Sequence, residues 1–354
     1  MAATLKVSKP TIDIDTDFKD VQDVSEYADE IFNNLFVKEQ KYRPNPDYME
    51  LQTDVNPRMR IILADWMYAV YLKFKSLPES YQLALALLDR FLSLFSSTHD
   101  NFQLIGITCL FIAMKLEEIY PPEVNDFVYI SAQSYTEGQI IDMEKVIVDG
   151  LGFIIKTPLP IDFERRFNKA AVLDYKHHTM TKYLVTMCQL SVTSLRLLPS
   201  QLAAGATYLV SLMQKNNKEL WSDDMVYYTH YSEEQARSFA LSIQQILIIV
   251  QQSQRADSVI EFYSSRKGGE VTNYKYTIAL PEVTNLSIYS PPPVEEPPIN
   301  RLLRKKNKPT IPAREQVDEL AEGISQLRFQ NQKQLKSIAP PPTYAPSEWD
   351  EEED

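Results

Sequence analysis

The sequence predicts an all-α fold, and three observations carry that reading. Apolar residues recur at helical spacing through many windows of the first 255 positions. Glycine is scarce, at 8 residues in 354, too few for the many tight turns of a sheet protein. The third observation is an internal likeness. The runs "QLIGITCLFIAMKLEE" and "QLAAGATYLVSLMQKN" are both apolar and rich in small residues; Gln103–Leu104 and Gln201–Leu202 align without a gap, and each pair is followed by a glycine, Gly106 and Gly205. Small side chains let neighbours approach closely, as the central helix of a bundle requires. Two related helical units are therefore expected, one around each run.

Residues 1–19 read as a flexible polar leader. Residues 20–56 hold an N-terminal helix and a linker: Asp23 with Glu26 fits a capping box, Tyr27, Ile31 and Leu35 line one face, and Pro44, Pro46 and Pro57 break the chain beyond it. Five helices are expected over 57–156, near 57–75, 79–95, 101–118, 123–131 and 137–149. Pro78 suits the first turn of the second, and Tyr120–Pro122 separates the third from the fourth. Thr136 with Gln139 caps the fifth and Gly150 ends it. The second unit, 157–255, opens in "KTPLPIDF", and 256–280 is a linker or the end of that unit. Residues 281–354 form a Pro-rich, acidic tail with more than half of the 22 prolines, largely disordered by composition. Within it Val317, Leu320, Ile324 and Leu327 follow a/d spacing, but two heptads make only a marginal helix alone.

Composition excludes several classes. A net charge of −12 argues against a broad nucleic-acid footprint, which needs basic stripes. Cys109 and Cys188 each sit in an apolar helical run and suit packing; they allow neither a disulfide framework nor a zinc spacing, in keeping with a reducing interior. "MAATLKVSKP" lacks an apolar signal core, and no apolar run is long enough to span a bilayer, so no membrane partner is expected. Enzymatic signatures are missing too. His99, His177, His178 and His230 are scattered, and there is no Gly-rich phosphate loop or nucleophile elbow. Asp223–Asp224 is a paired-acid site, but Tyr227 stands where a metal-dependent lyase would need another acid, so it reads as a solvated turn. No cofactor or metal is implied.

One charge stands out in "LFIAMKLEEIYPPEV". Lys115 shares a helix face with Leu104, Thr108 and Phe111, whereas the ungapped register puts Met213 at its place in the second unit. The fold itself therefore demands no charge there. Glu144 lies between Ile140 and Val148 on another apolar face. Opposite charges on apolar stripes of neighbouring helices should meet, because burying either alone is costly. A structural salt bridge, a lysine snorkelling at a helix end and a partner contact all satisfy the spacing.

Taken together, "MRIILADWM", "LLDRFLS", "FQLIGITCLFIAMKLEEIYPPEV" and "YTEGQIIDMEKVIVDGLGF" resemble the first box of a mitotic cyclin. "TPLPIDFERRFNKA" followed by "PSQLAAGATYL" is similar to the second box of the B type. The likeness covers roughly residues 20–255, with the first-box motifs in order at ungapped spacing. It implies two tandem five-helix cyclin-box bundles and a non-catalytic, activating subunit of a cyclin-dependent kinase, paired with it as a heterodimer at G2/M, in nucleus and cytoplasm. The alternative kept beside it is a transcription-associated cyclin or a cyclin-fold adaptor.

The resemblance also implies roles. Arg60 and Asp89 would form an ion pair supporting the box, and Lys115 and Glu144, with Leu104 nearby, would reach the backbone beside the kinase αC helix. Ile31, Leu116, Val148, Phe153 and Ile155 would supply apolar contacts to that helix. Met59, Ile62, Leu63, Trp66 and Gln103 match the hydrophobic patch that docks RxL-type substrates or inhibitors; by spacing alone the same stripe suits core packing. Ala69 and Ala132 replace acidic or amide side chains common in the family, which weakens the preference for a basic motif. The leader carries no RxxL destruction box. In the tail, "PPTY" at Pro341–Tyr344 fits a WW-domain ligand, Arg301–Leu303 an RxL-like ligand, and Arg304–Lys306 an import patch.

Overall fold

The computed structural model describes residues 10–11, 13–15, 24–214 and 220–273. Asp23 and the whole tail, with its heptad segment, "PPTY", Arg301–Leu303 and Arg304–Lys306, lie outside the described residues. Twelve α-helices order the described chain. After α1 (Ala28–Lys41) come α2 (Pro57–Phe74), α3 (Pro78–Leu94), α4 (His99–Glu117), α5 (Val124–Ile130) and α6 (Glu137–Gly150). The second bundle holds α7 (Pro160–Ala170), α8 (Tyr175–Gln189), α9 (Pro199–Met213), α10 (Asp223–Thr229) and α11 (Glu233–Ser253), and α12 (Asp257–Ser264) comes after it.

Helix starts obey local chemistry. Helices α2, α3, α7 and α9 each begin on a proline, whose missing N–H costs nothing in the first turn. Thr136 and Gln139 form a reciprocal capping box on α6, and Ser232 with Gln235 does the same on α11. The central helices are α4, packed by α2, α3 and α6, and α9, packed by α7, α8 and α11. Ile105, Ile107, Leu110 and Met114 on α4 are wholly buried, as are Ala203, Ala206 and Val210 on α9.

The two glycines of the repeat are not equivalent. The ungapped register puts Gly205 opposite Ile107, one position past Gly106 and about 100° around the helix. A Cβ on Gly106 would lie 2.9 Å from Leu63 Cδ1 on α2, whereas one on Gly205 would lie 2.8 Å from the Phe239 backbone on α11. The bundles share a plan but make their closest approach on different sides. Gly150 also differs from its expected role as a helix stop. It is the last residue of α6, and the left-handed turn comes later, at Gly152 (φ 60°) and Phe153 (φ 61°). What Gly150 supplies is space, since a Cβ there would meet the Phe95 ring at 2.7 Å.

Three expectations need correction. The N-terminal helix starts at Ala28 after a 3-10 turn at Ser25–Tyr27, with no side-chain cap. Its Tyr27–Ile31 edge is exposed, while Leu35 is half-buried together with Phe32 and Phe36, whose ring centroids lie 6.3 and 5.0 Å from that of Phe163 on α7. The leader is held where described: Ile14 is buried and Asp15 pairs with Arg166. Asp223–Asp224 is not a solvated turn, because Asp224 is buried and accepts a bond from Thr11 N at 2.7 Å. Residues 257–264, within the stretch read as a linker or the end of the second unit, form a helix. Helix α12 packs on α2 of the first bundle, and Asp65 caps its start by accepting from Ser258 N (3.1 Å), Ser258 Oγ (2.8 Å) and Val259 N (3.2 Å).

Candidate partner-binding surface

Lys115 lies in the last turn of α4, and its Nζ bonds Glu144 Oε1 on α6. The ammonium also sits 4.0 Å from the Phe111 ring centroid. The two side chains are 38% and 22% exposed, so the pair is at a rim and not in the core. Exposed pairs contribute about 0–1 kcal/mol to stability. Stability alone is thus a weak reason for a charge on this face.

The surroundings of the pair are apolar and open. Leu116 is half exposed, and beyond the helix end Ile119 and Tyr120 are 87% and 92% exposed. Phe153 is 71% exposed and Ile154 is also exposed, while Val148 and Ile155 are half-buried against the core. Solvent-facing apolar groups of this size mark interaction surfaces when they cluster. Phe153 holds a left-handed backbone, which a bulky residue adopts at a cost of about 1–2 kcal/mol. Its N–H donates to Val148 O at 3.0 Å, closing the turn after α6. Lys156 bonds Glu117 at the end of α4.

Ile31 sits on the exposed edge of α1. The far end of that helix reaches the same region through Arg90 of α3. The Arg90 guanidinium donates to Ile155 O at 3.4 Å and lies 5.9 Å from the centroid of Tyr42, the residue that caps α1. Burial pushes the Arg90 pKa down to about 10. Ile119, Tyr120 and Ile154 were not singled out from sequence. The available signal was a pair of large apolar residues directly before Pro121–Pro122, where no helix face exists to bury them.

Arg60 and Asp89 form a fully buried bidentate pair, with Nε and Nη2 each 2.7 Å from a carboxylate oxygen. Tyr48 Oη donates to Asp89 Oδ1 at 2.8 Å. The pair is not internal to the first box alone. Arg60 Nη1 donates to Gln189 O (2.9 Å) and Leu190 O (2.8 Å), the carbonyls that end α8 in the second bundle. Burial pulls the Arg60 pKa down, but the adjacent Asp89 carboxylate, through its charge and hydrogen bonds, contributes to a net rise, so the cation persists.

Of the patch residues, Ile62 is exposed and Met59, Trp66 and Gln103 are half-buried. Leu63 is buried beneath them against Gly106. The α2 stripe therefore serves both uses, its inner member in the core and its outer members facing solvent. Ala69 is half-buried and Ala132, with φ 53°, is exposed.

Among the described residues no cluster of three or more His, Cys, Asp or Glu could hold a metal, and no helix is long and apolar enough to cross a membrane. The histidines have structural neighbours: His177 pairs with Asp174, His178 with Asn168, and His230 stacks on Phe36. Burial, with Lys182 and Arg165 nearby, pushes the His178 pKa down to about 4. Both cysteines are buried, which raises their thiol pKa values and leaves them inert.

Two tandem bundles, each wound round an apolar central helix, with one further helix, α1, ahead of them, define a double cyclin-box fold. Residues 30–156 match the cyclin N-terminal domain and residues 158–275 the cyclin C-terminal domain. The chain belongs to the cyclin family. It is 40% identical over 258 residues to the G2/mitotic-specific cyclin-B of Arbacia punctulata, covering 72% of this chain and 62% of that one. It is 36% identical over 230 residues to the G2/mitotic-specific cyclin-B of Dictyostelium discoideum, covering 65% and 53%. The chain thus spans little more than half to under two thirds of these relatives' own length. The X-ray structure of a viral cyclin from herpesvirus saimiri superposes with a TM-score of 0.55 at 21% identity, over 63% of this chain and 97% of the other, which shows the shared fold.

Proposed function

We propose that this chain is an activating, non-catalytic subunit of a cyclin-dependent protein kinase acting at the G2/M stage of the cell cycle. The observation that carries the reading is the Lys115–Glu144 pair, set on a rim among exposed Leu116, Ile119, Tyr120 and Phe153. The names of its cyclin-B relatives support the stage. A kinase needs its β3 lysine paired with the αC glutamate before phosphoryl transfer. A partner that grips αC only in that state shifts the population toward it. Moving the balance from about 1:99 to 99:1 requires a differential affinity of about 5.5 kcal/mol. The apolar residues Ile31, Leu116, Val148, Phe153 and Ile155 supply the contact area, and Lys115 and Glu144 supply oriented polar groups for the partner's backbone. Met59, Ile62, Trp66 and Gln103 form a second surface for RxL-type segments, with Leu63 as its floor. Residence in the nucleus and cytoplasm goes with this role, as does a WW-domain partner at Pro341–Tyr344. The test is co-purification with kinase activity from cells. Lys115→Ala and Glu144→Ala should each lose the kinase while far-UV circular dichroism stays unchanged. Full kinase activation by both variants refutes the assignment.

A further inference from the structure

Thr11 and Asp13–Asp15 have no part in the kinase-facing surface. They lie against a groove walled by α1, α7 and α10. Thr11 N donates to Asp224 Oδ1 at 2.7 Å, and Ile14 N donates to Tyr228 Oη at 3.2 Å. The Ile14 side chain is buried. The Asp15 carboxylate takes both terminal nitrogens of Arg166, at 2.6 and 2.7 Å. Main-chain bonds combined with one pocketed side chain and one paired acid are how grooves hold short peptide segments.

The groove suits a carboxylate. Arg166 is only 7% exposed, and its guanidinium lies 4.2 Å from the Phe32 centroid and 5.0 Å from that of Tyr228. Two rings thus fix the plane of a fork that reads carboxylates bidentately. Asp29 of α1 reaches the same guanidinium at 3.5 Å. Arg166 Nε is buried without a partner among the described residues, and a cavity of about 240 Å³ beside it is lined by Asn33, Phe36, Tyr227 and His230. With Asp15 gone, a buried cation would keep only the longer Asp29 contact, which is costly.

The seated segment also supports α1. That helix has no side-chain cap at Tyr27, and Val24 before it is left-handed at φ 46°. Its first turn is tied to the bundle through Asp29 and Phe32, both on Arg166. We propose that the α1–α7–α10 groove is a docking site for short segments carrying an adjacent apolar–acidic pair. Its occupant here is the chain's own leader, through Thr11 and Asp13–Asp15, seated as a releasable strap that fixes the start of α1. One buried side chain, one bidentate pair and two main-chain bonds make a strap that can open without unfolding either bundle.

The test uses the full chain with Ile14→Asp and Asp15→Lys, and separately the milder Asp15→Asn. A fluorescent peptide of residues 8–15 is added to each. The peptide should bind the double variant at least tenfold more tightly than the wild type, whose groove is filled. Asp15→Asn should fall between them, and a peptide carrying Asp15→Asn should bind the double variant at least tenfold more weakly. Hydrogen exchange at Ala28–Phe32 should speed up in the double variant and slow again with peptide. Equal binding to wild type and variant, or none to either at millimolar peptide, overturns the proposal. A wild-type dimer whose dissociation on dilution speeds exchange at Ala28–Phe32 would overturn the intramolecular occupant.

Discussion

Replacing Arg60 with methionine removes one half of a buried pair and leaves the other half in place. Asp89, 2% exposed, would keep Tyr48 Oη as a donor but lose both bonds to the guanidinium. Breaking such a pair from one side costs about 3–5 kcal/mol. The substitution also strips a donor from Gln189 O and Leu190 O, and an unpaired buried carbonyl costs about 1–3 kcal/mol. The expected loss is therefore at least about 5 kcal/mol, a large share of the roughly 5–15 kcal/mol that holds a domain folded. Asp89→Asn is milder. The amide oxygen can still accept from Arg60, and the cation keeps its two carbonyls, so about 2–3 kcal/mol is expected. Urea unfolding followed by circular dichroism gives both values and that of the double variant. The reasoning predicts a coupling above about 1 kcal/mol, because the groups share one network. Losses that simply add, or an Arg60→Met cost below that of Asp89→Asn, would refute it.

Three other contacts give further expected outcomes. Glu164 is fully buried, and desolvation raises its pKa from 4.5 to about 8. The folded state thus holds a proton the unfolded state has shed, so this group's contribution to stability is fullest below pH 4.5 and is lost as pH rises through about 8. Glu164→Gln should flatten that slope and melt higher than the wild type at pH 9, with a gain of up to about 5 kcal/mol; equal pH slopes in thermal melts would contradict this. Gly205→Ala should cost about 1–3 kcal/mol or more, because its Cβ would meet the Phe239 backbone at 2.8 Å, whereas Gly106→Ala should cost less, since it meets only the movable end of Leu63. The reverse order in denaturant midpoints would show the close approaches are misjudged. Phe153→Gly relieves a left-handed backbone, so it should leave stability unchanged or raise it by up to about 1 kcal/mol while weakening kinase binding at least tenfold. A destabilised variant that binds as before would refute both halves.

Helix positions in the first bundle were legible because their signals are local. Pro78 opens one helix, and Thr136 with Gln139 caps another. Lys115 and Glu144 were legible as a pair because each breaks an apolar stripe. What stayed hidden depends on partners remote in sequence. Asp65 sits in the apolar run "IILADWM", an anomaly of the same kind as Lys115, yet its partner, the start of α12, lies 193 residues away. The leader read as loose because its Ile and Asp alternate in a polar stretch; only the groove holding Arg166 gives that alternation a use. Gly106 and Gly205 resembled each other in sequence, but one residue of offset sends them to different neighbours.

Two ion pairs of the first bundle separate cleanly by their surroundings. Arg60–Asp89 is dry, bidentate and shared with the second bundle, so its loss should appear as lost stability and loosened bundles. Lys115–Glu144 is wetter, spans only α4 and α6 and has an apolar rim open beside it. Breaking it should cost the isolated chain about 1 kcal/mol or less. In a complex the same groups would be desolvated against a partner's backbone, where charge-assisted bonds are worth roughly twice neutral ones. A charge pair that contributes little to its own fold, on a face where the second bundle carries methionine, is best explained by what it holds outside that fold.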